Sequence, residues 1–321
     1  MLLLEVFFIA FAMMLVALVA FVYLAPEAAT KLALSAERSR SGLVRREMEL
    51  SNGLRYAYLE GGQGEALVLL HGFGGNKDNF VRVARLLVKR YRVIIPDIIG
   101  FGESSRPSDV DYSPPAQVER LKIFAQELGI TEMHLGGNSM GAQIAMIYAS
   151  LYPAAVKSLW LLSPAGVWSA PHSDVIRIFK TTGENQLIAK NVEQFKHVMT
   201  LGMEKIPWIP KPMLNVLARE RIENAEFEDR IALQIVDYSV EDQIVGMQTP
   251  TLVVFGDKDR VISIQTADVL KKLLENATVK ILRGIGHVPM FESPQQCADD
   301  YFSFRETLQS LTARKTSNKA N

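Results

Sequence analysis

Short apolar runs alternate with helix-forming segments along most of this chain, and that alternation limits its fold more than any other feature. Leu54–Leu59, Ala66–Leu70, Arg92–Pro96, Met133–Gly137, Lys157–Leu162, Thr251–Phe255 and a run within Ala277–Leu282 read as strands. Helical stretches stand between or after them at 79–89, 116–128, 140–151 and from Pro294 onward. Strands this apolar, separated by helices, imply a largely parallel sheet covered on both faces. A Gly-Gly-Gln-Gly turn joins the first two strands. Between about Ala165 and Thr249 helical periodicity continues without a convincing core strand, and Ile206-Pro207-Trp208-Ile209-Pro210 interrupts it. That stretch is expected to form a helical cap inserted between two strands of the sheet.

The N-terminus is different in kind. Val6 to Leu24 carries neither a charge nor a glycine. As a helix it reaches ~28 Å, against a bilayer hydrocarbon thickness of roughly 30 Å. A secretory signal would have a basic start, an apolar run of roughly 7–15 residues and a small-residue cleavage site. Here Glu5 precedes the run, no Lys or Arg does, and no strict Ala-x-Ala follows. The expectation is a single-pass anchor, with export after signal cleavage as the alternative. Lys31, Arg38, Arg40, Arg45 and Arg46 all lie downstream, which by the positive-inside rule puts the rest of the chain on the cytoplasmic side. The expected organisation is an anchor at 1–25, a juxtamembrane helix or linker at 26–49, an α/β core at 50–164 and 250–312, the cap at 165–249, and a disordered tail at 313–321.

Charge and cysteine usage exclude other classes. Basic and acidic residues balance at 35 each in 321 residues, so net charge gives no footing for nucleic acid. Cys297 is the sole cysteine, which rules out an intrachain disulfide and a cysteine-based zinc site. It reads as a small packed apolar residue.

Gly137-Asn138-Ser139-Met140-Gly141 fits G-x-S-x-G and stands between a strand run and a helical run. In that context the serine occupies a sharp bend with its hydroxyl exposed above the sheet, and the helix N-terminus favours negative charge nearby. The competing reading is a serine in a glycine-rich or phosphate-binding turn. A serine nucleophile needs amide donors for its oxyanion: the N–H of Met140, and one from the loop after an early strand. His71-Gly72-Phe73-Gly74-Gly75 follows the strand run Ala66–Leu70 directly, so Phe73 is expected to give the second donor.

The base must follow the serine in chain order serine, acid, histidine. Of the five histidines, His71 and His134 precede Ser139, and His172 and His197 fall in the cap. His287, in Gly284-Ile285-Gly286-His287-Val288-Pro289 after the last strand, remains. The acid should follow the penultimate strand, where Gly256-Asp257-Lys258-Asp259-Arg260 offers two aspartates. Asp259 is the better placed to reach His287; Asp257 sits at the turn itself.

Taken together, HGFGGNKDNF, DIIGFGESSRP, GNSMGAQIAMIYASLYP, FGDKDRVI and GIGHVPMFESP resemble the α/β-hydrolase superfamily over about Leu54 to Leu308. Within it the chain looks most like membrane-anchored monoacylglycerol lipases and related bacterial lipases, through the N-terminal anchor, Ser163–Val167 and Glu204–Pro210. The resemblance implies a triad of Ser139, Asp259 and His287, oxyanion donors at Phe73 and Met140, and no cofactor or metal. It implies hydrolysis of a carboxylic ester, expected to be a lipid such as a monoacylglycerol at a membrane. Trp208, Ile209 and Met213 are the cap residues expected to meet substrate; packing of the cap on the core is the other use for them. The alternatives are a carboxylesterase of soluble substrates, a carbon–carbon hydrolase of ring-cleavage products (which often carries Trp where this chain has Val288), and a non-catalytic binding module. Ser139 argues against dehalogenases and epoxide hydrolases of similar fold, which use an aspartate nucleophile.

Overall fold

The computed structural model describes residues 2–319, with side chains from 3 to 311. The chain opens with α1 (Leu2–Leu24) and α2 (Pro26–Arg40), continues through β1 (Val44–Glu49), β2 (Arg55–Gly61) and β3 (Glu65–Leu70), and then passes a short 3-10 turn at Lys77–Phe80 into α3 (Val81–Leu87). Next come β4 (Tyr91–Pro96), α4 (Pro114–Glu127), β5 (Met133–Asn138), α5 (Met140–Leu151) and β6 (Val156–Leu162). Between β6 and the next strand lie α6 (Asp174–Thr182), α7 (Val192–Gly202), α8 (Lys211–Glu223), α9 (Ala225–Val236) and α10 (Glu241–Ile244). The chain returns to the sheet with β7 (Thr251–Gly256), α11 (Thr266–Leu273) and β8 (Ala277–Leu282), and ends with α12 (Pro289–Glu292) and α13 (Pro294–Lys319).

The eight strands form one sheet in the order β1-β2-β4-β3-β5-β6-β7-β8. β1 and β2 run antiparallel to their neighbours, and the pairings from β4 to β8 are parallel. Alternate residues of each central strand supply opposite cores, because successive side chains point to opposite faces. Val68, Leu70, Leu135, Leu161, Val253 and Phe255 pack with α4 and α5. Leu67, Leu69, Val93, Trp160, Leu252 and Val254 pack with α3 and α13. This double burial is why these strands read as unbroken apolar runs rather than as alternation.

The Gly-Gly-Gln-Gly turn joins β2 to β3 in sequence, and β4 lies between them in the sheet. The segment 26–49, expected as a juxtamembrane helix or linker, packs against the core. Ala29 and Thr30 of α2 are buried, and Arg38 makes two bonds of 2.6 Å to the Asp78 carboxylate. β1 then pairs along its whole length with β2. Its sequence Val-Arg-Arg-Glu-Met-Glu is that of a charged edge strand, the usual protection of an exposed sheet edge, and such a strand has no apolar signature. Finally, α13 continues to Lys319 where a disordered tail was expected from Ala313; Ala320 and Asn321 lie outside the described residues.

α1 is long and apolar enough to cross a membrane over Leu3–Leu24, and none of that window is buried against the rest of the protein. It meets α2 at Ala25, the one residue of the junction with non-helical backbone, ahead of Pro26. Hydrogen bonds from Ala25 N–H to the Phe21 carbonyl and from Ala29 N–H to the Ala25 carbonyl, both 2.9 Å, carry the helical path across the break.

Candidate active site

β5 ends at Asn138 and α5 begins at Met140, so Ser139 alone turns the chain. It does so at φ 54° and ψ −116°, a backbone state that costs an L-residue energy and persists only when its surroundings enforce it. The flanking glycines are part of that enforcement. A Cβ at Gly137 would lie 2.3 Å from the Gly141 carbonyl carbon, and one at Gly141 would lie 2.2 Å from the Leu70 carbonyl oxygen. Ser139 N–H donates to the Leu162 carbonyl at 3.0 Å, and its own carbonyl accepts from Gln143 N–H at 3.0 Å. The bend is therefore fixed to β6 on one side and to the first turn of α5 on the other.

His287 arrives on the loop after β8. Its Nδ1 stands 2.9 Å from Asp259 Oδ2 and 3.1 Å from Oδ1. The Asp259 side chain is fully buried, and its Oδ1 also accepts from the N–H groups of Val261 and Ile262, each at 2.9 Å. A carboxylate so placed accepts only, so Nδ1 carries the proton and Nε2 is left as a lone pair. Asp257 instead accepts from Gly284 N–H at 2.6 Å; among the described residues it makes no contact with His287. Asn138, whose role was not legible in the sequence, ties the Ser139 and His287 segments together. Its Nδ2 donates to the Leu162 carbonyl at 3.1 Å and to the His287 carbonyl at 2.9 Å, across 149 residues of chain. Ser139 and His287 open onto one cavity. The serine hydroxyl makes no hydrogen bond among the described residues.

The loop His71–Gly75 approaches from the other side. A Cβ at Gly72 would lie 3.2 Å from the Ser139 Cβ. The N–H groups of Phe73 and Met140 have no acceptor among the described residues, which fits two donors kept for a ligand oxygen. His71 shapes this loop: buried and neutral, it donates from Nδ1 to the Gly72 carbonyl at 2.8 Å and accepts at Nε2 from Ile98 N–H at 2.9 Å. Burial holds its pKa below the ordinary value. His134 lies in β5 against Ser158 and Glu65. His172 and His197 are exposed on the cap and do not line the cavity.

The cavity has a volume of about 460 Å³. Phe73, Phe101 and Val288 line it from the core, and Phe195, Met199 and Leu217 from the cap. Trp208, Ile209 and Met213 reach it as well, with Trp208 87% exposed at its rim. A further wall was not foreseen: Thr30, Ala33, Leu34 and Glu37 of α2 face the same space. Only Ala33 and Leu34 of that face are apolar, so it carries no amphipathic stripe that would have signalled it. Glu292 was also missed. Its two oxygens accept from Gly286 N–H on the histidine loop and from Glu204 and Lys205 N–H on the cap, at 2.8 to 2.9 Å. Among the described residues no group of three or more His, Cys, Asp or Glu could hold a metal ion.

Comparison with known proteins agrees with this fold. A family model described as the α/β hydrolase fold matches residues 65–294. Lipase 1 of Psychrobacter immobilis is 44% identical over 279 residues, 85% of this chain and 87% of that protein. Human monoacylglycerol lipase ABHD6 (Homo sapiens) is 29% identical over 266 residues, 79% of each chain. Among solved structures, a membrane phospholipase A described as a bacterial virulence factor superposes with a TM-score of 0.86 at 34% identity, covering 95% of this chain and 99% of its own. By fold, by the position of its serine bend and by these relatives, the chain belongs to the α/β-hydrolase family.

Proposed function

We propose that this protein is a serine lipase of a membrane surface, hydrolysing carboxylic esters of lipids through an acyl-enzyme on Ser139. One observation carries the reading: a histidine oriented by a buried carboxylate opens, with a serine on an enforced bend, into a cavity walled by apolar side chains and by the helix that follows the membrane segment.

His287 Nε2 takes the Ser139 proton as Oγ attacks the acyl carbonyl. The N–H groups of Phe73 and Met140 receive the oxyanion, at a value of roughly 3–4 kcal/mol per donor in comparable sites. Asp259 holds the imidazole in the required tautomer and stabilises the imidazolium. The proton then passes to the leaving alcohol, and a water deprotonated by His287 releases the acid.

The substrate reading rests on wall and location. The acyl chain lies against Phe195, Met199 and Leu217, while Trp208 has the exposure and chemistry of an interfacial anchor. Monoacylglycerols and related lipid esters fit such a cavity. Lys31, Arg38, Arg40, Arg45 and Arg46 follow α1 closely, which supports a catalytic domain on the cytoplasmic face. Arg38, Arg45 and Arg46 are paired with Asp78, Glu103 and Glu60. An alkaline phosphatase fused after residue 311 should accordingly be inactive, and an active fusion reverses the orientation.

A fluorophosphonate should label the wild type and leave Ser139→Ala unlabelled; equal labelling of both removes the enzyme reading. With the full chain in vesicles, p-nitrophenyl esters of rising chain length and a monoacylglycerol should be turned over faster than short soluble esters. A preference for short esters that is indifferent to vesicles identifies a carboxylesterase instead.

A further inference from the structure

We infer that Arg221, a residue of the cap, is the positioning residue of the oxyanion loop. This rests on the assignment of the Phe73 N–H as an oxyanion donor. Arg221 stands in α8 with its side chain 12% exposed, and its guanidinium joins three segments. Nη1 donates to the Gly74 carbonyl at 2.7 Å, Nη2 to the Leu187 carbonyl at 2.7 Å, and Nε to Glu228 Oε2 at 2.8 Å.

The bond to Gly74 acts on the turn that presents Phe73. Gly75 N–H donates to the Gly72 carbonyl at 3.0 Å, closing a four-residue turn with Phe73 and Gly74 at its centre. The peptide plane between Gly74 and Gly75 is thus held at both ends, its N–H by Gly72 and its oxygen by Arg221. Rotating that plane breaks the closure and frees Phe73 N–H to turn away from Ser139. Gly74 itself sits at φ +64°, and a Cβ there would lie 2.2 Å from Arg221 Cζ. The glycine serves the backbone state and leaves room for the guanidinium. A rigid planar donor reaching separate carbonyls is a role that Lys does not reproduce.

The alternative use of a cation in this cavity is capture of an anionic lipid headgroup. The pairing argues against it. Glu228 is buried, its carboxylate faces the guanidinium, and the remaining bonds of Arg221 are to main-chain carbonyls. The charge is neutralised locally, and each of the three guanidinium nitrogens makes a bond to the fold.

The test uses the full chain and a neutral ester, p-nitrophenyl butyrate. Arg221→Met should lower kcat by roughly 10- to 100-fold, the scale of a displaced oxyanion donor, with KM within about threefold. Phosphonylation of Ser139 by a fluorophosphonate should slow in parallel. Arg221→Lys should recover part of the rate, and Glu228→Gln, which leaves both carbonyl contacts in place, should stay within a few-fold of wild type. Arg106→Met, which cuts the tie between Arg106 and Glu220 of the same helix, reports on loosening of the cap alone and should leave kcat unchanged. A wild-type kcat in Arg221→Met, a loss confined to KM, or an equal kcat loss in Arg106→Met overturns the inference. Labelling that persists in every variant but Ser139→Ala keeps the serine-hydrolase reading intact in each of those cases.

Discussion

Replacing Asp259 with Asn changes one atom and should disable the base without loosening the fold. Oδ1 of Asp259 receives two main-chain N–H groups, from Val261 and Ile262, each at 2.9 Å. An amide has only one oxygen, so the oxygen of Asn must stay at that position. Its NH₂ then falls where Oδ2 now faces His287 Nδ1 at 2.9 Å. Two donors cannot share that bond, and the oxygen kept at the Oδ1 position stands 3.1 Å from Nδ1 and already holds two N–H groups, so the balance shifts to the tautomer with its proton on Nε2, the atom that should receive the serine proton. The fold keeps its hydrogen bonds while the base is in the wrong tautomer. The same exchange in a Ser-His-Asp triad on another fold costs about 10⁴ in kcat, equivalent to roughly 5.4 kcal/mol at 1.36 kcal/mol per decade. The assay is steady-state hydrolysis of a p-nitrophenyl ester by the detergent-solubilised full chain, with the thermal midpoint recorded alongside. Asp257→Asn is the control, since Asp257 meets Gly284 N–H rather than the histidine; its kcat should stay within a few-fold of wild type. A kcat for Asp259→Asn within tenfold of wild type, or a larger loss in Asp257→Asn, would refute the tautomer argument.

Two further outcomes follow from buried polar groups. Asn138→Ala should destabilise the protein by about 2 kcal/mol in urea unfolding, because the buried carbonyls of Leu162 and His287 each lose a donor, and kcat should fall more than KM rises as the histidine loop gains freedom. His134 should make stability pH-dependent. Its pKa is lowered from 6.5 to about 4, first by burial and then by the charge of Arg305, with Glu65 opposing. Between those values the unfolded chain binds a proton that the native state refuses, so stability is full above about pH 6.5 and declines as the pH falls toward 4. The span corresponds to on the order of 3 kcal/mol. Urea midpoints of the wild type and His134→Gln at pH 7.5 and 4.5 measure it; parallel declines in the two proteins would exclude His134 as the source.

What could be read from the sequence and what could not divide along physical lines. α5 begins and ends at the residues expected, because an apolar run between a glycine-rich bend and a proline is a local signal. Ser139, Asp259 and His287 stood out because each lies on the turn or loop that follows a strand, where loops gather above a parallel sheet. β1 escaped notice because a strand at a sheet edge needs no apolar face. The docking of α2 was not legible because it depends on Arg38 meeting Asp78, and charge pairs distant in sequence leave no periodicity. The same holds for Asn138 against His287 and for Arg221 against Gly74: each is a polar side chain reaching a main-chain carbonyl, and the carbonyl has no letter in the sequence.

The helix that forms part of the cavity wall has a practical consequence for anyone preparing a water-soluble form. Removing residues 1–24 would take away the apolar span alone. Starting the chain near residue 50, the natural choice if everything before it were a tether, would also strip Leu34 and its neighbours from the acyl cavity, leave Asp78 without Arg38, and uncover the edge of β2. Such a fragment would retain its serine, histidine and aspartate, yet its selectivity would belong to a different, more open enzyme.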